Sequence, residues 1–139
     1  MTIVDYTQKA KKTKIEGHSE YIGLEQDVIE YDSRLEARCA QCLLRERIKF
    51  QPHKKYEVID RNGEPFNYEI DFDLKRPTKF SGIDRLVDSL EVKGVLKPHD
   101  FKRKDAFEYS ANRDMWICTE ALVRYWYEHG MNPRIYKTP

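Results

Sequence analysis

The chain has 139 residues, enough for one domain with a modest hydrophobic core, and 35% of them are charged. Its 25 Lys and Arg nearly cancel its 24 Asp and Glu; the net charge of +1 excludes a bulk polycation. No apolar run approaches the roughly 20 residues that cross a bilayer, no signal-peptide core is visible, and three cysteines cannot build a disulfide framework, so an intracellular, reduced setting away from membranes is expected, in the cytoplasm of the host if the source is viral.

Residues 1–32 carry only a weak apolar spacing through Tyr21, Leu24 and Ile29, and read as an N-terminal arm or a short helix laid against a domain at 33–139. Ser33 then opens a helix that runs to about Ile48, with Leu35, Cys39, Cys42 and Leu43 on one face. A structural zinc needs four ligands and no Cys/His pair elsewhere completes the set, so these cysteines read as small buried hydrophobes. After Gln51-Pro52 the period becomes two. "KYEVID" and "FNYEIDFDL" flank Asn62-Gly63, a dipeptide suited to a tight hairpin turn with positive φ at both positions. Alternation puts Tyr68, Ile70, Phe72 and Leu74 on one face of the second strand and Glu69, Asp71 and Asp73 on the other.

"KRPTKFSGIDR" reads as a loop broken by Pro77 and Gly82, and "DSLEVKG" as a third strand with Leu90 and Val92 inward and Glu91 and Lys93 opposite. A second helix is predicted from Pro98 to Asn112, burying Phe101 and Ala106 or Phe107. "MWICT" is a fourth strand, Thr119 caps a helix that Gly130 ends, and "RIYKT" suits a closing edge strand. The order α-β-β-β-α-β-α describes an α/β protein, a mixed sheet flanked by helices.

Three carboxylates fall on elements that can meet: Glu36 on the first helix, Asp71 on the second strand and Glu91 on the third. Converging carboxylates repel, and a divalent cation removes the conflict. Mg²⁺ suits such a set, since it takes oxygen ligands, commonly one or two carboxylates with waters and phosphate oxygen. The matching chemistry is phosphodiester hydrolysis, in which the metal polarises a phosphoryl oxygen and acidifies a bound water. Lys93, two residues beyond Glu91 on the same face, can orient or help deprotonate that water, or neutralise charge on the phosphorane. Each piece alone has an ordinary explanation. Ser33-x-x-Glu36 is a capping box, Glu91 and Lys93 suit any half-wet strand, and Asp71 competes with Glu69 and Asp73.

Taken in order, "SRLEARCAQCLLRERIKFQPHKKYEV", "NYEIDF" and "LEVKG" resemble the PD-(D/E)XK nuclease superfamily, and more narrowly the small phage endonuclease I type that resolves four-way DNA junctions. That pattern is a helix with Ser-x-Leu-Glu, then Ile-Lys-Phe, an aromatic-rich strand, Tyr-x-x-Asp-Phe, and Glu-x-Lys-Gly ending a strand; here it covers Ser33 to about Lys104. The resemblance implies a restriction-endonuclease-like α-β-β-β-α-β core. It also implies Mg²⁺ or Mn²⁺ held by Glu36, Asp71, Glu91 and the Val92 carbonyl, with Lys93 catalytic and Gln51 close to the metal. Phe72 after Asp71 singles that aspartate out. Ile70 stands where the superfamily name has proline, and the "LKRPTKFSGIDRLVDS" segment is longer than in the phage resolvase, which bears on substrate more than chemistry.

The expected activity is a Mg²⁺-dependent DNA endonuclease acting on branched or duplex DNA in recombination, repair or phage or viral genome processing. Paired junction cuts call for a homodimer. A duplex-cutting transposon-end or restriction-like nuclease, an inactive nuclease-fold DNA-binding module, and a plain α/β interaction domain are the alternatives. Lys9, Lys11, Lys12 and Lys14 in "KAKKTK" and Lys102, Arg103 and Lys104 in "FKRK" are candidate phosphate contacts, which a neutral total charge does not forbid. His53 and His99 read as surface histidines, and "MWICTEALVRYWYEHG" as core, with a dimer surface as the alternative.

Overall fold

Ser33 begins the first helix as its position predicts: its backbone is extended and its hydroxyl accepts the Glu36 amide proton at 3.0 Å. The computed structural model describes the backbone of residues 13–16 and 28–136, with side chains from 31 to 136. The elements are β1 (Thr13–Glu16), β2 (Val28–Tyr31), α1 (Arg34–Arg45), β3 (Phe50–Ile59), β4 (Pro65–Lys79), β5 (Val87–Val92), α2 (Pro98–Ala111), β6 (Met115–Cys118), α3 (Glu120–His129) and β7 (Arg134–Ile135). The main sheet runs β3-β4-β5-β6, with β7 on the far end of β4. Its first three strands are antiparallel, and α2 is the crossover that makes β6 parallel to β5. The protein is therefore α/β with a mixed sheet, and among the described residues no helix is long and apolar enough to cross a membrane.

The described part of the N-terminal segment is extended rather than helical. β1 and β2 form a two-stranded antiparallel sheet in which Ile29, expected on a short helix, lies opposite Ile15. Tyr21 and Leu24 lie outside the described residues.

Two apolar clusters hold the sheet. The larger joins Leu35, Cys39, Cys42 and Leu43 of α1 and Val123 and Trp126 of α3 to Phe50, Phe72, Leu74, Leu90 and Val92. The smaller joins Phe107 of α2 to Val58, Tyr68, Ile70 and Met115. The single apolar face expected on β4 is thus divided: Tyr68 and Ile70 meet α2, while Phe72 and Leu74 meet α1 and α3. Asp73, between these last two, is on the α2 side, where it accepts the Tyr56 hydroxyl at 2.9 Å; the Tyr56 ring stands edge-on to Phe107 at 5.1 Å. The strand turns over near Asp71. Its neighbour β3 breaks at the same level, at Pro52 and at His53, whose φ is 55°. A strict period of two cannot foresee such a turnover.

Three further departures have local causes. Only Gly63 of the Asn-Gly pair has positive φ, and its amide donates to the Asp60 carbonyl at 3.0 Å; this gives a turn with a glycine bulge, steadied by the Asp60 side chain accepting the Asn62 and Glu64 amides. β4 continues through Pro77 to Lys79 where a loop was expected. The β4–β5 register shifts between Asp73 and Thr78, which leaves room for a residue with no amide proton. Phe101, expected in the core, is 54% exposed.

The 80–83 turn is locked from several sides. Trp126 Nε1 donates to the Ser81 carbonyl at 2.7 Å, and Ser81 donates to the Met131 carbonyl at 2.8 Å. Gly82 has φ +87°, and a Cβ there would lie 2.8 Å from Leu122 Cδ1. Gly82→Ala is expected to lower stability by about 1–3 kcal/mol, read as a reduced urea midpoint with unchanged slope.

Candidate active site

β4 and β5 pair through Asp73 opposite Ser89 and Phe72 opposite Leu90, and one step further the side chains take over from the backbone ladder. The Asp71 amide donates to Glu91 Oε1 at 3.2 Å, and the Val92 amide donates to Asp71 Oδ2 at 2.7 Å. Each carboxylate therefore reaches across to an amide of the other strand. Glu91 is 4% exposed, and its Oε2 accepts the Tyr68 hydroxyl at 2.5 Å. Glu36 comes from the first turn of α1, is equally buried, and meets His53 Nε2 at 2.5 Å through Oε1.

The electrostatics follow from this crowding. Burial, then the charges of Glu91 and Glu36, push Asp71 well above the usual aspartate range, and the Val92 N–H pulls weakly the other way. Glu36 is raised by burial against the opposing pull of His53, and His53 is raised chiefly by its hydrogen bond to Glu36. The Tyr68 hydroxyl is held protonated by burial and by Glu91 beside it.

The structure distinguishes the three β4 carboxylates. Asp73 is fully buried and engaged with Arg113 at 2.7 Å and Lys54 at 3.4 Å as well as Tyr56. Glu69 is exposed. Asp71 is the one that meets Glu91, with Glu36 close enough to act on both. Lys93 is 35% exposed with Nζ 3.7 Å from Asp100 Oδ1, and Asp100 in turn accepts the Lys97 amide at 2.8 Å in a capping box. Gln51 lies opposite Asp73 and, among the described residues, hydrogen-bonds none of the three carboxylates.

Comparison with protein-family models, with curated proteins and with solved structures found no match to this chain.

His53 was read as an ordinary surface residue and is instead a partner of Glu36. It sits between the pairs Pro52–Phe72 and Lys54–Ile70, hence across from Asp71, with its ring edge-on to Tyr31 at 5.7 Å. Register with Asp71 was the available signal. His53 also has a ligand atom within 4.8 Å of ligand atoms on Asp32 and Glu69, a spacing that Glu36, Asp71 and Glu91 do not reach together; exposed acidic groups of this kind are common without an ion. Of the basic candidates, Lys102 and Arg103 are exposed on α2, and Arg103 is near enough to offset part of the rise at Tyr68. Lys104 pairs with Glu108 at 2.7 Å. Lys14 lies on β1, and Lys9, Lys11 and Lys12 lie outside the described residues. Cys39, Cys42 and Cys118 are all buried and free of disulfides, with the Cys42 thiol pushed by burial to about 12, so they pack as expected.

Asp71 and Glu36 bind protons more tightly folded than unfolded, so without metal each costs stability as pH climbs above the ordinary values of 3.8 and 4.5. His53 adds in the same direction, since its stabilisation is complete below 6.5 and lost as pH passes its raised folded value. In EDTA the melting temperature should therefore fall as pH rises from 4 to 8, and Asp71→Asn should flatten that fall. Asp73→Asn should instead lower stability by about 3 kcal/mol throughout, because it removes the buried charge that meets both Arg113 and Lys54. Equal pH profiles for the two variants would refute this division of roles.

Proposed function

We propose that the protein is a metal-dependent DNA endonuclease with a restriction-endonuclease-like core, acting on four-way or otherwise branched DNA as a homodimer. One observation carries the reading: Asp71 and Glu91 exchange hydrogen bonds with each other's strand where the two strands part, with Glu36 near enough to act on both through its charge and Lys93 two residues beyond Glu91. The donors Glu36, Asp71 and Glu91 are all oxygen, and their mutual repulsion is only partly offset by His53 and the Val92 amide, which fits Mg²⁺ or Mn²⁺; the Val92 carbonyl on the same strand could add a fourth. A divalent ion there would polarise the scissile phosphate and supply hydroxide near neutral pH.

The remaining steps belong to the chain itself. The Tyr68 hydroxyl and the Asp71 amide hold the two Glu91 oxygens, and the Val92 amide holds Asp71 Oδ2, so both carboxylates are aimed before substrate arrives. His53 fixes Glu36. Lys93, parked on Asp100 at the mouth of the site, is placed to meet a phosphate oxygen or the attacking water once an anion competes for it. A two-fold dimer would present two such sites for the paired cuts a junction needs.

The test is cleavage of labelled four-way junction and of linear duplex, with Mg²⁺, Mn²⁺ or EDTA. Junction cutting that Asp71→Asn and Glu91→Gln abolish, and that Lys93→Ala slows on the order of 10²–10⁴-fold with binding retained, is the expected result. Cutting of duplex alone would favour a transposon-end or restriction-like enzyme. Binding without cutting in either metal would leave an inactive DNA-binding module and end the catalytic reading.

A further inference from the structure

The link from β5 to α2 leaves the site directly, since Lys93 is followed by Gly94, Val95 and Leu96 before the Lys97 cap. Three large apolar side chains here face water: Val95 is 64% exposed, Leu96 42% and Phe101 54%. Leu96 precedes the cap and Phe101 is the fourth helical residue, the two positions that pack together across a helix start. The Lys97 amide donates to Asp100 at 2.8 Å, which fixes this helix start, and Leu96 and Phe101 both stay exposed.

Its surroundings are basic. Residues 93–104 hold Lys93, Lys97, Lys102, Arg103 and Lys104 against a single acid, Asp100, which is 5% exposed. His99 lies within the same turn, 3.4 Å from Asp100. Just beyond, Glu108 is engaged by Lys104 and Asp105 by Arg61. Arg103 is exposed on α2, two residues beyond Phe101. An exposed apolar patch in a segment with five cations to one acid suits a polyanion that also offers apolar faces.

Building on the nuclease reading above, we propose that Val95, Leu96 and Phe101 form a wedge that receives an unstacked base, so that the preferred substrate is nucleic acid opened next to the scissile phosphate rather than continuous duplex. Phe101 supplies a stacking face, Leu96 braces it, and Lys97, Lys102 and Arg103 take the flanking phosphates. Bases inside an intact duplex are covered by their neighbours and cannot use the wedge, whereas a branch point or bulge presents one at little cost. The wedge thus selects substrate while Asp71 and Glu91 perform the chemistry.

Binding is measured in EDTA, so that nothing is cut, by fluorescence anisotropy on three labelled DNAs: four-way junction, duplex with a short unpaired bulge, and intact duplex. A 2-aminopurine at the unpaired position reports stacking. Wild type should prefer the first two about tenfold and quench or shift the 2-aminopurine signal. Leu96→Ser with Phe101→Ser should abolish that preference while keeping duplex affinity, and Phe101→Tyr should retain it. Lys102→Ala with Arg103→Ala should weaken all three alike and reduce the salt dependence. Both positions are exposed, so the variants should fold, which circular dichroism checks.

Equal affinity of wild type for all three DNAs, or a preference that survives the double Ser variant, overturns the wedge even if duplex is cut in Mg²⁺. Preference lost in the double variant upholds it even if no metal supports cutting, in which case only the nuclease reading falls. Self-association of wild type that the same variant abolishes would assign the patch to a second copy of the chain and also overturn it.

Discussion

The crossed hydrogen bonds between Asp71 and the Glu91–Val92 segment are the constraint on which the site depends. Backbone groups where two strands part must find partners, and here carboxylates supply them. The exchange closes that end of the sheet and fixes both side chains at once. It also holds together two like-charged groups that would separate if free, a tension that Tyr68 and the buried surroundings sustain. Much of the molecule serves this arrangement. Phe107 backs the Tyr68 ring at 5.7 Å, and α1 brings Glu36 up on a helix whose inner face is fully packed.

Element order from Ser33 onward was legible because hydrophobic period, caps and the glycine turn all pointed the same way. What escaped was where an element changes its face. β4 alternates cleanly in sequence, yet Phe72 and Tyr68 belong to different clusters, because the strand turns over at the level of His53. That reversal is a property of the β3–β4 pair and leaves no mark in either strand's period. The strand character of Thr13–Glu16 and Val28–Tyr31 was hidden likewise, since two four-residue strands carry too little pattern without their partner.

For the site, residue type and order were enough to propose Glu36, Asp71 and Glu91 together, because each occurs at an element position that constrains its direction. The supporting residues were less visible. Tyr68 looked like core, and it is core; only the strand separation lets its hydroxyl reach Glu91. Asp100 lies in the first turn of α2, and its grip on Lys93 depends on how that helix leaves the sheet. Residues that act through another side chain depend on tertiary distance, which a linear pattern does not encode.

Pro52 and His53 have one more effect. β3 ends the order of the main sheet, and a regular strand in that place would offer an unbroken row of amides and carbonyls to any passing chain. Proline lacks the amide, and the left-handed turn at His53 swings the next groups out of line. The irregularity that brings an imidazole to Glu36 also makes a poor template for strand addition, so one local break both orients the site and guards the fold against edge-to-edge aggregation.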